Sequence, residues 1–442
     1  MSYTHSVTLD WEKCIGCTDC IKRCPTEAIR VRNSKAEIMN DRCIDCGNCI
    51  RVCSSHAKKA TTDPIEMMAD YKYKVAIPAP TLYTQFKKLR NPNIILTALK
   101  KMGFDEVFEV ALGADVVTEY SKLLVQEKKV QLPMISSACP AIVHLVQMRF
   151  PTLIPNIMPV ISPKEAIARY ARNHLVKKGI PSDDIGIFFI SPCGAKVTDT
   201  RDPEVFDTSM VNGVFSMKEI YLYLVPIIRE LGEDEVEVLQ MGSANGIGWA
   251  AIGGESTASE VYNRVAVDGI ENVINILERM ENNKLDVEFV EALACVNGCL
   301  GGPLTVENSF VATNRMLKIR KYLQFKGKTR DLNILDSSVS LDWDRQLSNK
   351  QVMKLDEDMF KALEKMERME ALYETLPQID CGSCGSPTCR SFAEDVVMEH
   401  ARIEDCIFML REQVRKMAED MVKLAEKLPP SIRTKGKGGE DE

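Results

Sequence analysis

The sequence has no excess of positive charge. Fifty-six Lys and Arg stand against 63 Asp and Glu, a net charge of −7. It therefore carries no electrostatic footprint for nucleic acid. It has no long hydrophobic run either, and nothing approaches the roughly 18 apolar residues that a membrane-spanning helix needs. Its start, MSYTHSVTLDWEKC, lacks the charged-then-apolar order of a secretory leader. A cytoplasmic protein is expected, with neither nucleic acid nor membrane as partner. Hydrophobic residues make up 45%, which is ordinary for a globular chain. A length of 442 residues suffices for about two to four domains.

What the sequence has in quantity is cysteine, sixteen in all. In a reducing compartment such cysteines bind metal more often than they form disulfides. Eight lie between positions 14 and 53, four are scattered at 139, 193, 295 and 299, and four lie between 381 and 406. Sixteen divides into four sets of four, and four thiolates are what one iron–sulfur cluster requires.

The first run, CIGCTDCIKRCP, places Cys14, Cys17, Cys20 and Cys24 before Pro25. The second, CIDCGNCIRVCS, places Cys43, Cys46, Cys49 and Cys53 before Ser54. Both have the C-x2-C-x2-C-x3-C spacing of two-cluster ferredoxins, in which the fourth cysteine serves the other cube. Cys24 is thus expected to join Cys43, Cys46 and Cys49, and Cys53 to join Cys14, Cys17 and Cys20. Zinc knuckles more often show a pair, a long gap and a second pair. The last group is Cys381, Cys384 and Cys389, then Cys406. Its Gly-, Ser- and Pro-rich loop lets backbone amides approach cluster sulfides. The segment from Arg390 to Cys406 reads as a helix that returns the fourth ligand. A [4Fe–4S] cluster is favoured, although zinc is compatible with this spacing.

The scattered four each follow a strand-like apolar run. VQLPMIS precedes Cys139-Pro140, IGIFFIS precedes Pro192-Cys193-Gly194, and VEFVEALA precedes Cys295, with Cys299 four residues later. Such runs, broken by Gly and Pro and alternating with helical segments, read as parallel strands of α/β units. Ligand sites in such sheets lie beyond the carboxyl ends of the strands. Three strand ends can then present four thiolates to one centre. Inert core cysteines are the bland alternative, less apt for four that all sit beside Pro or Gly.

With these motifs the sequence resembles the [FeFe]-hydrogenases. The family's first active-site motif, TSCCP, corresponds to Ser136-Ser137-Ala138-Cys139-Pro140. The second, MPCxxKxxE, corresponds to Ser191-Pro192-Cys193-Gly194-Ala195-Lys196-Val197-Thr198-Asp199. The third, ExMxCxxxCxxGG, corresponds to the segment from Glu291 through Cys295 and Cys299 to Gly302. The resemblance covers about residues 1–310. It implies an H-cluster: a [4Fe–4S] cube on Cys139, Cys193, Cys295 and Cys299, joined to a two-iron subcluster bearing CO, cyanide and azadithiolate. Cys299 is the implied bridging ligand, and Lys196 the implied partner of a cyanide. Ser137 and Pro192 are implied to line the cofactor site. Three further [4Fe–4S] clusters complete the cofactor set.

The departures from the family pattern lie around these ligands. The proton-relaying cysteine is replaced by Ala138, the second-motif methionine by Ser191, its glutamate by Asp199, and the third-motif methionine by Leu293. An alanine cannot shuttle a proton. Groups around a metal centre tune it, so slow turnover is expected. Glu291 is a candidate for a replacement proton path, with Glu255 and Glu119 as weaker ones. An altered first motif and an extra C-terminal cluster resemble the branch assigned to sensing, in its form without a PAS-type domain, often called group D.

Two C-terminal stretches alternate apolar residues in steps of three and four. One runs Val352, Leu355, Met359, Ala362, Met366, Met369, Tyr373, Leu376. The other runs Ile407, Leu410, Val414, Met417, Met421, Leu424, Leu428. Helices packed on each other or on a core give this pattern. A dimer seam or a docking face for a signalling partner gives it too. The tail RTKGKGGEDE reads as disordered.

The expected architecture is an α/β hydrogenase-type domain (70–310) after an α+β ferredoxin-like domain with two clusters (1–62). A mostly helical connector (311–372), a helical C-terminal cluster domain (373–410), and a helix with a charged tail (411–442) follow. The expected activity is reversible H2 oxidation, slow and serving H2 or redox sensing, with H2, protons and a ferredoxin-like redox partner. The rivals are a metabolic hydrogenase with another proton path, and a non-catalytic electron-transfer or cluster-assembly protein without the two-iron subcluster.

Overall fold

The structure, a computed structural model, describes residues 5–127, 130–326, 339–350 and 355–427. It forms two compact units. One comprises residues 1–15, 23–28 and 38–352, and the other comprises 16–22, 29–37 and 353–442. Among the described residues no helix is long and apolar enough to cross a membrane.

The N-terminal region contains β1 (Val7–Leu9), α1 (Asp19–Lys22), β2 (Ile29–Arg32), β3 (Lys35–Ile38), α2 (Asn48–Val52) and β4 (Lys58–Ala60). β1 and β4 pair antiparallel with Val7 opposite Ala60. β2 and β3 form a second two-stranded ribbon. Its turn residues Asn33 and Ser34 both have positive φ, 49° and 61°, the conformation that suits the twist of a tight hairpin.

The larger part of the first unit alternates strand and helix: β5 (Tyr73–Pro78), α3 (Pro92–Met102), β6 (Glu106–Val107), α4 (Val110–Gln126), β7 (Met134–Ile135), α5 (Pro140–Arg149), α6 (Pro163–Lys177), β8 (Ile185–Ser191), α7 (Gly194–Arg201) and β9 (Gly213–Ser216). It continues with α8 (Met217–Glu230), α9 (Ala244–Gly248), α10 (Gly254–Ala258), β10 (Arg264–Asp268), α11 (Ile270–Glu281), β11 (Phe289–Leu293) and α12 (Ser309–Lys326). The strands form two parallel sheets, ordered β6-β5-β8-β9 and β10-β11-β7. In the first, Val75 lies opposite Ile187 and Ile190 opposite Phe215. In the second, Phe289 lies opposite Arg264 on one side and Met134 on the other. All seven residues of β8 are buried, as expected where helices cover both faces of a parallel sheet. Phe188 and Phe215 stack at its centre with ring centroids 4.9 Å apart.

The expected strand runs are thus parallel strands, but they do not share one sheet. β8 belongs to one sheet, whereas β7 and β11 belong to the other. Helix α12 opens the expected connector, while residues 339–350 are largely irregular.

The second unit contains the β2–β3 ribbon, α13 (Met359–Thr375), α14 (Cys389–Val397) and α15 (Ile407–Glu426). The ribbon is pinned to the loop before α14. Val31 donates its N–H to the Gly385 carbonyl at 2.7 Å. Buried Asp395 accepts from Arg30 Nε at 2.6 Å, Arg32 Nη2 at 2.8 Å and Ser386 Oγ at 2.6 Å. Removing one partner of such a buried cluster typically costs about 3–5 kcal/mol, because it strands a charge. α14 is shorter than the helix expected over 390–406. Glu399 takes a left-handed φ of 62°, and the His400 and Ala401 amides turn back onto the Asp395 carbonyl.

The apolar seams behave differently in the two helices. α13 buries Met369 and Leu376 against Phe392 and Val397 of α14. α15 buries nothing: Ile407, Leu410, Val414, Met417, Met421 and Leu424 are all exposed. The preferred expectation, a helix packed on its neighbour or on a core, does not hold for α15 among the described residues. Val352, Leu428 and the charged tail lie outside the described residues.

Candidate functional site

The strand ends bring the scattered cysteines together. β7 leads through Ser136 to Cys139, which occupies the N-cap of α5 with Pro140 in the first turn. β8 leads to Cys193, the N-cap of α7. A helix N-terminus carries partial positive charge and favours a thiolate. Cys295 follows β11, and Cys299 lies in the short turn Gly298–Gly301. This last loop packs directly on the second. A Cβ on Gly302 would lie 2.2 Å from the Pro192 carbonyl oxygen, so only glycine fits there.

Burial, together with the neighbouring thiols Cys295 and Cys139, raises the Cys193 thiol far above its ordinary range. Burial raises Cys299 to about 11 despite the opposing charge of Lys196, and raises Cys139 as well. Burial alone would lower the Lys196 ammonium. The thiolates of Cys299, Cys193 and Cys139 outweigh it, and the net shift is upward. Lys196 Nζ donates to the Ala138 carbonyl at 3.0 Å. None of the sixteen cysteines forms a disulfide. Thiols whose ionisation burial disfavours, at Cys139, Cys193 and Cys299, fit a metal cluster, which takes up their charge.

Beside these residues lies a pocket lined by Ala138, Pro192, Lys196, Glu255, Glu291 and Cys299, among others. Glu255 also lines a second cavity of about 370 Å³, shared with Ser121, Lys122, Trp249, Glu260 and Tyr262. Tyr262 is 97% exposed, so this second cavity reaches solvent. Ser136 Oγ donates to Glu255 Oε2 at 2.5 Å and accepts the Ala138 amide at 3.2 Å. Burial and the nearby Glu291 raise the Glu255 carboxyl to about 8, against the opposing effects of Ser136 and Lys196.

The structure distributes the other sequence candidates unequally. Glu291 is fully buried, but its oxygens accept the Gly253 and Ser256 amides at 2.9 and 2.8 Å, which anchors the start of α10. Glu119 pairs with Lys122 at 3.0 Å and is 42% exposed. Ser191 is buried and bonds to the backbone of Cys193. Ser137 donates to the Val160 carbonyl at 2.9 Å. Asp199 accepts from Lys164 Nζ at 2.7 Å. Lys164 is 1% exposed and lines the inner pocket. It is a buried lysine that no motif flagged, and neither the Lys164–Asp199 nor the Ser136–Glu255 pairing is visible as a local pattern.

Cluster ligands from the ferredoxin region are also grouped. Cys46 lies within electrostatic reach of Cys24 and Cys49, and Cys43 of Cys46 and Cys49; burial raises Cys43 and Cys46 strongly. The Ala28 amide donates to Cys24 Sγ, and the Ala57 amide to Cys53 Sγ, each at 3.2 Å. Asp45 ties this loop to α7, accepting from Thr198 Oγ1 at 3.0 Å and from the Val7 amide at 2.8 Å. Cys14 and Cys53 belong to the first unit, Cys17 and Cys20 to the second. In the second unit Cys384 faces Cys381 and Cys406. Cys384, Cys389 and Cys406 pack on the small core around Phe392.

Convergent thiols at strand ends, preceded by a ferredoxin-type run, define a modular iron–sulfur protein. Residues 72–263 and 233–303, together more than half of the chain, match the family described as iron only hydrogenase large subunit, C-terminal domain. The chain belongs to this family. Residues 6–54 match a 4Fe-4S dicluster domain, and residues 376–408 match an Fe–S cluster family. Iron hydrogenase 1 of Clostridium pasteurianum is 22% identical over 53% of this chain and 50% of its own length. Nuclear prelamin A recognition factor of Mus musculus is 23% identical over 50% of this chain and 59% of its own length. The chain thus spans only about half the length of these relatives. The solved structure of [FeFe]-hydrogenase HydA1 from Chlamydomonas reinhardtii aligns with TM-score 0.44 and 19% identity, covering 56% of this chain and 84% of that one.

Proposed function

We propose that this protein is an [FeFe]-hydrogenase of low turnover that serves H2 or redox sensing. Cys139, Cys193, Cys295 and Cys299 would hold the H-cluster cube, with Cys299 bridging to a two-iron subcluster bearing CO, cyanide and azadithiolate. When bound, that subcluster supplies the place where the H–H bond is made or broken, H2 ⇌ 2H⁺ + 2e⁻. Lys196 offers a buried cation with three donors to an anionic ligand. The observation that carries this reading is that Cys139, Cys193, Cys295 and Cys299 lie within electrostatic reach of one another, three of them beside Lys196, at a pocket that Lys196 and Cys299 line.

Ala138 cannot move a proton, so another group must. Glu255 lines both the inner pocket and the solvent-reaching cavity, and we assign it the proton between them, with Ser136 holding its carboxyl in place. Glu291 positions the Gly253–Ser256 turn rather than relaying the proton itself. Asp199 fixes Lys164 at the pocket wall. Cys24, Cys43, Cys46 and Cys49, the other ferredoxin-type set and the C-terminal set would hold cubes that supply electron transfer toward a ferredoxin-like partner. The exposed seam of α15 suits a second copy or a signalling protein.

Ala138, where the proton-relaying cysteine is expected, supports one rival: an iron–sulfur electron-transfer or cluster-assembly protein that never loads the two-iron subcluster. Anaerobic protein matured with a synthetic two-iron cofactor and assayed for H2 evolution with a reduced viologen separates the two. Slow H2 formation absent from the cofactor-free protein is expected. No H2 formation and no H/D exchange would leave the rival standing.

A further inference from the structure

Arg51 lies on α2, two residues past Cys49 and five past Cys46. The residue is exposed, yet its guanidinium reaches back to the loop that carries Cys299. Nη2 donates to the Gly301 carbonyl at 2.6 Å, two residues after Cys299. The same guanidinium hydrogen-bonds to Cys295 and lies within electrostatic reach of Cys46 and Cys193. Next to it, Gly47 closes against Pro303: a Cβ on Gly47 would lie 2.8 Å from the proline ring, and its φ is +72°. One permanent cation therefore sits at the seam between a thiol of the Cys24–Cys43–Cys46–Cys49 set and two thiols of the Cys139–Cys193–Cys295–Cys299 set.

We propose that Arg51 is a positioning residue that raises the reduction potentials of these two sets' cubes together. The inference rests on reading both sets as cube ligands, but not on the two-iron subcluster. Adding an electron to either cube adds negative charge beside the guanidinium, which stabilises the reduced form. N–H donation to a ligand sulfur acts in the same direction. Each transfer oxidises one cube by one electron and reduces the other by one, so a cation shared between them moves both potentials without choosing a direction. Arginine suits the place because its planar fork can serve Gly301 and Cys295 at once, which a lysine ammonium cannot do in the same geometry.

The test uses the full chain, anaerobically reconstituted with iron and sulfide and without the two-iron cofactor, so it reads the cubes whether or not the hydrogenase reading holds. Redox titration followed by electron paramagnetic resonance compares wild type with Arg51→Gln, Arg51→Met and Arg51→Lys. In a neutral variant that retains its iron, two couples should fall by about tenfold in their reduction equilibrium, 59 mV for one electron. The other two should stay in place, and Arg51→Lys should recover part of the shift. Unmoved potentials would reduce Arg51 to a tether for Gly301 and overturn the proposal. An equal shift of all four couples would overturn it too, as would loss of iron from both neutral variants.

Discussion

Replacing Lys196 by Met should abolish incorporation of the two-iron subcluster while leaving the cubes in place. The lysine is enclosed by Cys139, Cys193 and Cys299, and one of its N–H groups goes to the Ala138 carbonyl. An ammonium has three donors, so two are left for an anionic ligand. Methionine keeps the stem and removes the charge, so the pocket should stay filled and the fold intact. The measurement is iron content together with the CO and cyanide infrared bands after maturation. Expected is full cube iron with no cyanide bands. Bands of wild-type intensity would mean that Lys196 is a structural lysine held by thiols.

Glu255→Gln carries the second large effect. A positioned proton carrier contributes about 10²–10⁴-fold, and glutamine keeps the shape while removing the proton. H2 evolution should fall by about 10²-fold with the infrared bands unchanged. Because burial and Glu291 hold the Glu255 carboxyl at about 8, wild-type H2 evolution should also decline as pH rises through about 8. The same shift bears on stability. A carboxyl whose folded value lies above its unfolded value of about 4.3 favours the folded state fully below that lower value. The contribution is lost as pH rises toward 8. Melting of wild type should therefore weaken between pH 5 and 8.5 more than that of Glu255→Gln. A variant with unchanged turnover and an unchanged pH profile would remove Glu255 from the proton path.

The cysteine spacing made the grouping of the thiols legible before any fold was known, because short, fixed intervals keep such residues close together. The strand-end placement of Cys139, Cys193 and Cys295 was legible for a related reason. An apolar run that stops at Pro or Gly leaves few other structures open. What sequence could not give were pairings across distance. Ser136 and Glu255 lie 119 residues apart, and Lys164 and Asp199 sit on different helices. Arg51 and Gly301 are separated by 250 residues. No local period encodes such pairs. The same limit left the sheet membership of the strands open, since strand runs reveal direction and burial but not neighbours, and β8 lies in one sheet while β7 and β11 lie in another. The α15 seam shows the converse. Its steps of three and four do fall on a helix, but the preferred expectation of packing fails there among the described residues, because periodicity does not say what covers an apolar face.

Infrared spectroscopy of the anaerobic protein, matured with a synthetic two-iron cofactor and then exposed to H2, decides whether Cys139, Cys193, Cys295 and Cys299 hold an H-cluster. CO and cyanide stretches should appear on maturation and shift under H2, despite Ala138. Protein that holds its full complement of cube iron and shows no such stretches would contradict an H-cluster there, leaving four plain cubes and electron transfer alone.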